Sequence, residues 1–178
     1  MSNCLVAYAT RHGATAEIAE AIAEALRVAG HAAELRPADQ VETLDSYEAV
    51  ILGSAVYYGH WLDPARDLAE RFAERLAAMP VWLFSSGPLG PADQLVPEGD
   101  CVDVSPVAEA TDAIDHRTFA GRLDKAALGF REKAVVAALH PPEGDFRDWD
   151  MIARYAGEIA VWLGASGGAS AAQGGWPR

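Results

Sequence analysis

A chain of 178 residues and 18.9 kDa, with 51 % hydrophobic residues, has the size of one domain and enough apolar side chains to bury a core without disulfides or metals. Its net charge of −12 and pI near 4.7 argue against a nucleic-acid partner and against docking on an anionic membrane through a basic patch. Mean hydropathy is +0.01, no apolar run approaches the ~20 residues of a membrane span, and Met1-Ser2-Asn3 leads straight into a strand-like run without a secretory signal, so a cytoplasmic location is expected.

Residues 4–9 form a short apolar run that reads as a strand buried on both faces of a parallel sheet, with Cys4 in the core. Cys4 and Cys101 form no C-x-x-C pair and supply too few ligands for a zinc or iron–sulfur site, so both are expected to be ordinary reduced thiols. Residues 14–29 change period: Ile18, Ile22, Ala25 and Leu26 recur at helical spacing opposite Glu17, Glu20 and Glu24, and Gly30 ends the helix. Residues 31–36 are a weaker, half-polar strand suited to a sheet edge, and residues 49–53 are the next buried strand. Asp63, as N-cap, and Pro64, at the first helical position, open a second helix with Leu68, Phe72 and Leu76 on its buried stripe; Pro80 stops it.

Residues 81–85 read as the fourth strand, and residues 86–104, rich in Gly, Pro and Asp, as a long loop. A short helix is predicted within 106–114 and the last strand over 117–120. Residues 124–139 have helical spacing at Leu128, Val135 and Leu139, broken by residues 140–145. The last helix carries Ile152, Tyr155, Ala156, Ile159, Trp162 and Leu163 on one stripe and ends at Gly164; residues 165–178 are expected to be a disordered tail. Strands alternating with helices predict an α/β fold, a doubly wound five-stranded parallel sheet forming a single domain over residues 1–164. Such folds bind ligands outside the carboxyl ends of the strands, which directs attention to the loops after each strand.

After the first strand come Thr10, Arg11, His12, Gly13, Ala14 and Thr15: two hydroxyls, a glycine and several backbone N–H groups at a helix N-terminus. Free N–H groups and the helix dipole attract an anion, so the loop suits a phosphate; the alternative is a capping turn using Thr10. The turn lacks the G-x-G-x-x-G of dinucleotide-binding proteins and the G-x-x-x-x-G-K-[ST] of P-loops. Ser54, Ala55, Val56, Tyr57, Tyr58, Gly59, His60 and Trp61 follow the third strand, and their rings can stack on a flat heterocycle or pack onto the next helix. Ser86, Gly87, Pro88, Leu89 and Gly90 follow the fourth strand and offer backbone groups to a ligand edge, or form a plain turn. Arg122, after the fifth, faces a cofactor or substrate, or pairs with Asp124.

The Thr10-x-x-Gly13-x-Thr15 loop resembles the FMN phosphate loop of the flavodoxin family. Thr10-Arg11-x-Gly13-x-Thr15 together with Tyr58-Gly59-His60 after Gly53-Ser54 is similar to the branch that includes menaquinone-dependent protoporphyrinogen oxidase. The likeness is strongest over residues 4–90 and returns weakly around residues 149–159. It implies FMN as cofactor, with its phosphate on residues 10–15 and its ring between residues 54–60 and 86–90. A protein of this kind supplies no covalent catalyst; it holds the flavin and tunes its electronics for a redox partner protein, a quinone or a small reduced substrate. The resemblance also implies an arginine where Tyr57 stands and a long basic insertion after the fifth strand. This chain instead has a shorter segment, residues 123–148, carrying Glu143, Asp145 and Asp148. Two further readings therefore stand beside electron transfer: a quinone-linked protoporphyrinogen oxidase-type enzyme, and a module that has lost FMN and acts in protein interaction.

Overall fold

The computed structural model describes residues 1–57, 59–87, 104–123 and 144–166. The chain runs β1 (Asn3–Ala9), α1 (Ala14–Val28), β2 (Ala32–Pro37), a 3-10 turn (Ala38–Gln40), β3 (Ala49–Tyr57) and β4 (His60–Trp61). It continues through α2 (Asp63–Arg71), α3 (Ala73–Ala77), β5 (Val81–Ser86), α4 (Ser105–Thr111), β6 (Asp115–Phe119), β7 (Arg122–Leu123), β8 (Gly144–Asp145) and α5 (Trp149–Ser166). Five strands run parallel in the order β2-β1-β3-β5-β6, with β4 turned back antiparallel on β3. This is the predicted doubly wound sheet. From β1 the chain first goes out to β2 and then returns past β1 to β3, which puts the switch point between β1 and β3.

The central strands β1, β3 and β5 are apolar on both faces because helices cover both. Cys4, Val6, Ile51, Trp82 and Phe84 point towards α1 and α5; Leu5, Ala7, Val50, Leu52 and Leu83 point towards α2, α3 and α4. Burial pushes the Cys4 thiol up to about 11, so it stays protonated and inert. β2 lies at the edge, as its mixed composition predicts. Gly30 closes α1 in a Schellman turn: at φ +91° it lets its own N–H reach the Arg27 carbonyl and the His31 N–H reach that of Leu26, both at 3.0 Å.

Several predicted boundaries move. The third strand does not stop at Gly53 but runs on to Tyr57 and folds back as β4, because Val56 and Tyr57 pair with Trp61 and His60. Asp63 is not the N-cap of α2: Leu62 holds that position, and the Asp63 carboxylate instead pairs with Arg66 one turn on. The helical stripe from Leu68 to Leu76 is interrupted at Phe72, which separates α2 from α3. The last helix passes through Gly164 to Ser166, and its start is capped by Asp148, whose Oδ1 accepts the Met151 N–H at 2.9 Å. β7 and β8, a two-stranded ribbon, fall where the sequence shows only loop and helix-breaking residues. The predicted helix over 124–139 and the tail beyond Ser166 lie outside the described residues. Among the described residues no helix is long and apolar enough to cross a membrane.

Candidate functional site

The strand register brings the carboxyl ends together: Ala9 lies beside Ser54, Ser54 beside Ser85, and Ser86 beside both Ala55 and Phe119. The four predicted loops therefore open on one edge of the sheet, across the switch point.

The first loop turns sharply at Gly13, which sits at φ +86° as the N-cap of α1. Thr10 Oγ1 accepts the Gly13 N–H at 3.0 Å, which braces the turn. Thr10 thus makes the turn hydrogen bond but does not cap the helix: among the described residues α1 has no side-chain cap hydrogen bond at its N-terminus. A Cβ on Gly13 would meet no atom within 4 Å, so the backbone faces open space there. Thr15, in the first turn, is only 1 % exposed. An uncapped helix N-terminus with an open glycine in front of it is a cradle for a phosphate, and the residues present fit one.

The second loop is a hairpin rather than an extended loop. Tyr57 is half-buried, its ring 4.6 Å from the Arg11 guanidinium and 6.5 Å from the His12 imidazole. The first and second loops therefore touch. Gly59 makes the turn at φ +78°, and a Cβ added there would meet no atom within 4 Å; Tyr58 lies outside the described residues. His60 is exposed, and Trp61 is buried beneath the hairpin. Ser54 is fully buried: its hydroxyl donates to the Ala55 carbonyl at 2.8 Å and accepts the Leu62 N–H at 3.0 Å. Its side chain braces the return of the hairpin and does not face the opening.

The third loop begins with Ser86 and Gly87, both buried. Gly87, at φ +103°, donates its N–H to the Phe119 carbonyl at 2.9 Å. Pro88, Leu89 and Gly90 lie outside the described residues. In the fourth, Arg122 reaches the first turn of α1, its guanidinium 3.0 Å from Glu17 Oε1; Asp124 lies outside the described residues.

Two side-chain networks that the sequence does not reveal support this edge. Trp61 Nε1–H donates to Ser85 Oγ at 2.8 Å, and Ser85 Oγ lies 2.8 Å from His116 Nε2. Burial holds His116 below its usual range, with Asp115 pulling weakly the other way. The neutral ring and the Ser85 hydroxyl share one hydrogen bond, whose direction follows the ring's tautomer. The chain Trp61–Ser85–His116 ties the hairpin to β5 and β6. The second network surrounds Arg147, whose Nε and Nη2 lie 2.8 and 2.6 Å from the two oxygens of Asp145 and whose Nη1 lies 2.7 Å from Glu17 Oε2. Those hydrogen bonds hold Asp145 below the usual carboxylate range. The one signal in the sequence is the Asp145-x-Arg147 spacing, too common to single out.

A doubly wound sheet with an open, uncapped helix N-terminus at its switch point defines the class of flavodoxin-like α/β proteins. The chain belongs to the flavodoxin domain family, whose model matches residues 5–150; FMN is the cofactor of that family. Among curated proteins it is 30 % identical over 83 residues to protoporphyrinogen IX dehydrogenase [quinone] of Escherichia coli K12, a match covering 46 % of each chain. The match thus spans about half the length of that relative. Among solved structures it is similar to oxidised flavodoxin 1 of Bacillus cereus, with a TM-score of 0.60 and 18 % identity over 90 % of this chain and 98 % of that one. It is also similar to rubredoxin oxygen:oxidoreductase of Desulfovibrio gigas, with a TM-score of 0.61 and 12 % identity over 95 % of this chain and 38 % of that one. Both likenesses concern the fold.

Proposed function

We propose that this protein binds FMN at the carboxyl edge of its sheet and works as an electron-transfer flavoprotein. The observation that carries the reading is the bare N-terminus of α1 at the switch point, with Gly13 open in front of it. A single terminal phosphate suits such a turn, whereas the pyrophosphate of FAD is usually met by a G-x-G-x-x-G turn that is missing between β1 and α1. On this reading Thr10, Arg11, His12, Gly13, Ala14 and Thr15 hold the phosphate. The hairpin from Val56 to His60 lines one side of the ring, and residues 86–90 line the other. When bound, FMN supplies the redox chemistry, and the side chains hold it, exclude water and set the local charge. A redox partner protein, a quinone or a small reduced substrate would exchange the electrons, and a cytoplasmic location suits such a carrier.

The purified protein should be yellow, with a flavin absorption band, and acid release followed by chromatography should return FMN. Recovered FAD would overturn the ligand; colourless protein that does not take up added FMN would overturn the reading and leave the interaction module.

The match to the quinone-linked enzyme favours a narrower second reading, oxidation of a porphyrinogen with electrons passed to a quinone. Tyr57, at the place where an arginine is implied, and the acidic residues of 123–148 weigh against it. Turnover of protoporphyrinogen with a menaquinone analogue separates this enzyme from a plain carrier.

A further inference from the structure

Glu17 puts a carboxylate in the first turn of α1, the turn that would hold the phosphate. A carboxylate suits a bare helix N-terminus, but it repels a second anion bound at the same place. Both of its oxygens are met by arginines: Arg147 Nη1 stands 2.7 Å from Oε2, and Arg122 Nη1 stands 3.0 Å from Oε1. Arg147 is the more constrained of the two. Its side chain is 3 % exposed, it grips Asp145 with two parallel bonds, and its guanidinium lies 4.5 Å from the Trp149 ring. The same Nη1 reaches the carbonyl of Ala14, the first residue of the helix, at 3.3 Å. One buried guanidinium thus fixes both the charge and the backbone of the turn next to Gly13. Asp145, in the short ribbon β7–β8, fixes the guanidinium in turn.

We propose that Arg147 is a positioning residue of the phosphate site: by pairing with Glu17 and the Ala14 carbonyl it cancels the carboxylate's repulsion and holds the α1 turn ready for the flavin phosphate. The proposal rests on the FMN reading and goes beyond it. Lysine cannot replace the arginine, because one ammonium cannot match the fork that joins Asp145, Glu17 and Ala14.

The test compares FMN with riboflavin, which has the same ring and no phosphate, by flavin fluorescence titration. Arg147→Met should bind FMN roughly tenfold more weakly, the loss of a charge-assisted hydrogen bond, with riboflavin affinity unchanged. Glu17→Gln should bind FMN no more weakly than wild type. The double variant Glu17→Gln/Arg147→Met should regain most of the loss, because the charge that Arg147 cancels is gone. Arg122→Met, at a half-exposed position, should show the same phosphate-selective loss to a smaller degree and serves where Arg147→Met does not fold. Equal losses for FMN and riboflavin, or no recovery in the double variant, would reduce Arg147 to a support of the fold and overturn the proposal. The proposal falls equally if Arg147→Met does not fold and Arg122→Met shows no selective loss. Wild-type protein that binds neither flavin overturns the FMN reading itself, a result distinguishable from both.

Discussion

The phosphate side and the ring side of the candidate site are built by different means. Between β1 and α1 the turn itself forms locally, although Arg147 reaches it from far along the chain: Thr10 braces Gly13 three residues on, Gly13 takes a left-handed backbone, and the helix starts at once. On the ring side the parts come from distant places. Trp61 reaches Ser85, Ser85 reaches His116, and Ser54 holds Leu62 across the hairpin. A turn built from neighbours can exist as soon as its own residues meet. A hairpin held by β5 and β6 requires the sheet to be assembled first. The phosphate side should therefore respond to substitution mainly through ligand affinity, and the ring side mainly through the stability of the whole domain.

The largest expected effect tests the ring side. Gly53 pairs with Tyr8 and Phe84 in neighbouring strands, and a Cβ there would lie 2.0 Å from Phe84 Cζ. Phe84 is fully buried and packs against Phe119, so it has little room to withdraw. Gly53→Ala should cost about 3 kcal/mol, a fall in thermal midpoint of roughly 6–12 °C for a domain of this size. A midpoint within 2–3 °C of wild type, about what 1 kcal/mol costs, would mean that the strands under the hairpin yield easily, and the contrast would lose its basis.

Next comes Thr15→Ala on the phosphate side. On the proposed reading Thr15 holds the phosphate, and removing its hydroxyl should cost about 2 kcal/mol of FMN binding, within a ten- to hundredfold loss of affinity. Circular dichroism and the melting of the flavin-free protein should change little. Unchanged affinity would take Thr15 out of the site.

Ser85→Ala should act in the opposite sense. It leaves the Nε1–H of Trp61, a residue 3 % exposed, without its acceptor, which should cost about 1–2 kcal/mol in urea unfolding. His116 adds a pH dependence of known sign. Burial depresses its folded-state value below the usual 6.5, so the unfolded chain binds the proton more readily. Its contribution is fully present above the unfolded value and is lost as pH falls through the folded one. The melting midpoint of wild type should therefore drop more than that of His116→Gln between pH 7 and pH 5. Parallel curves would detach His116 from the stability of the hairpin.

The same division explains what is legible in the sequence. The buried runs of β1, β3 and β5, the helical period of α1 and its stop at Gly30 are local patterns, and the doubly wound sheet follows from their alternation. The turn at residues 10–15 is legible for the same reason. Ser54 enters the candidate loop by its position alone, because nothing local shows that Leu62 lies across the hairpin to pair with its hydroxyl. Arg122 has Asp124 as its near neighbour in sequence, and nothing local shows that it also reaches Glu17, 105 residues away. Arg147 and His116 are silent in the sequence because each matters only through contacts the tertiary fold creates. The ribbon β7–β8 has strands of two residues each, too short for any period to appear.

The smallest expected effect lies at the seam between the two regions, where the Arg11 guanidinium rests 4.6 Å from the Tyr57 ring centre. A cation over an aromatic face near the surface contributes about 0.5–1 kcal/mol. If the two regions act on the same ligand, this contact should couple them: Arg11→Gln and Tyr57→Leu combined should depart from additivity in FMN affinity by about that amount. Tyr57→Phe keeps the ring face and should keep the coupling. Tyr57→Arg sharpens the question, because it replaces the ring by a second cation beside Arg11. Reduction adds negative charge to a flavin, and a nearby cation favours it, so the flavin's reduction potential should rise in potentiometric titration. Additive losses in the double variant, together with an unchanged or lowered potential in Tyr57→Arg, would show that Tyr57 touches the phosphate loop without facing the ring. The ring side would then have to be sought further along the hairpin.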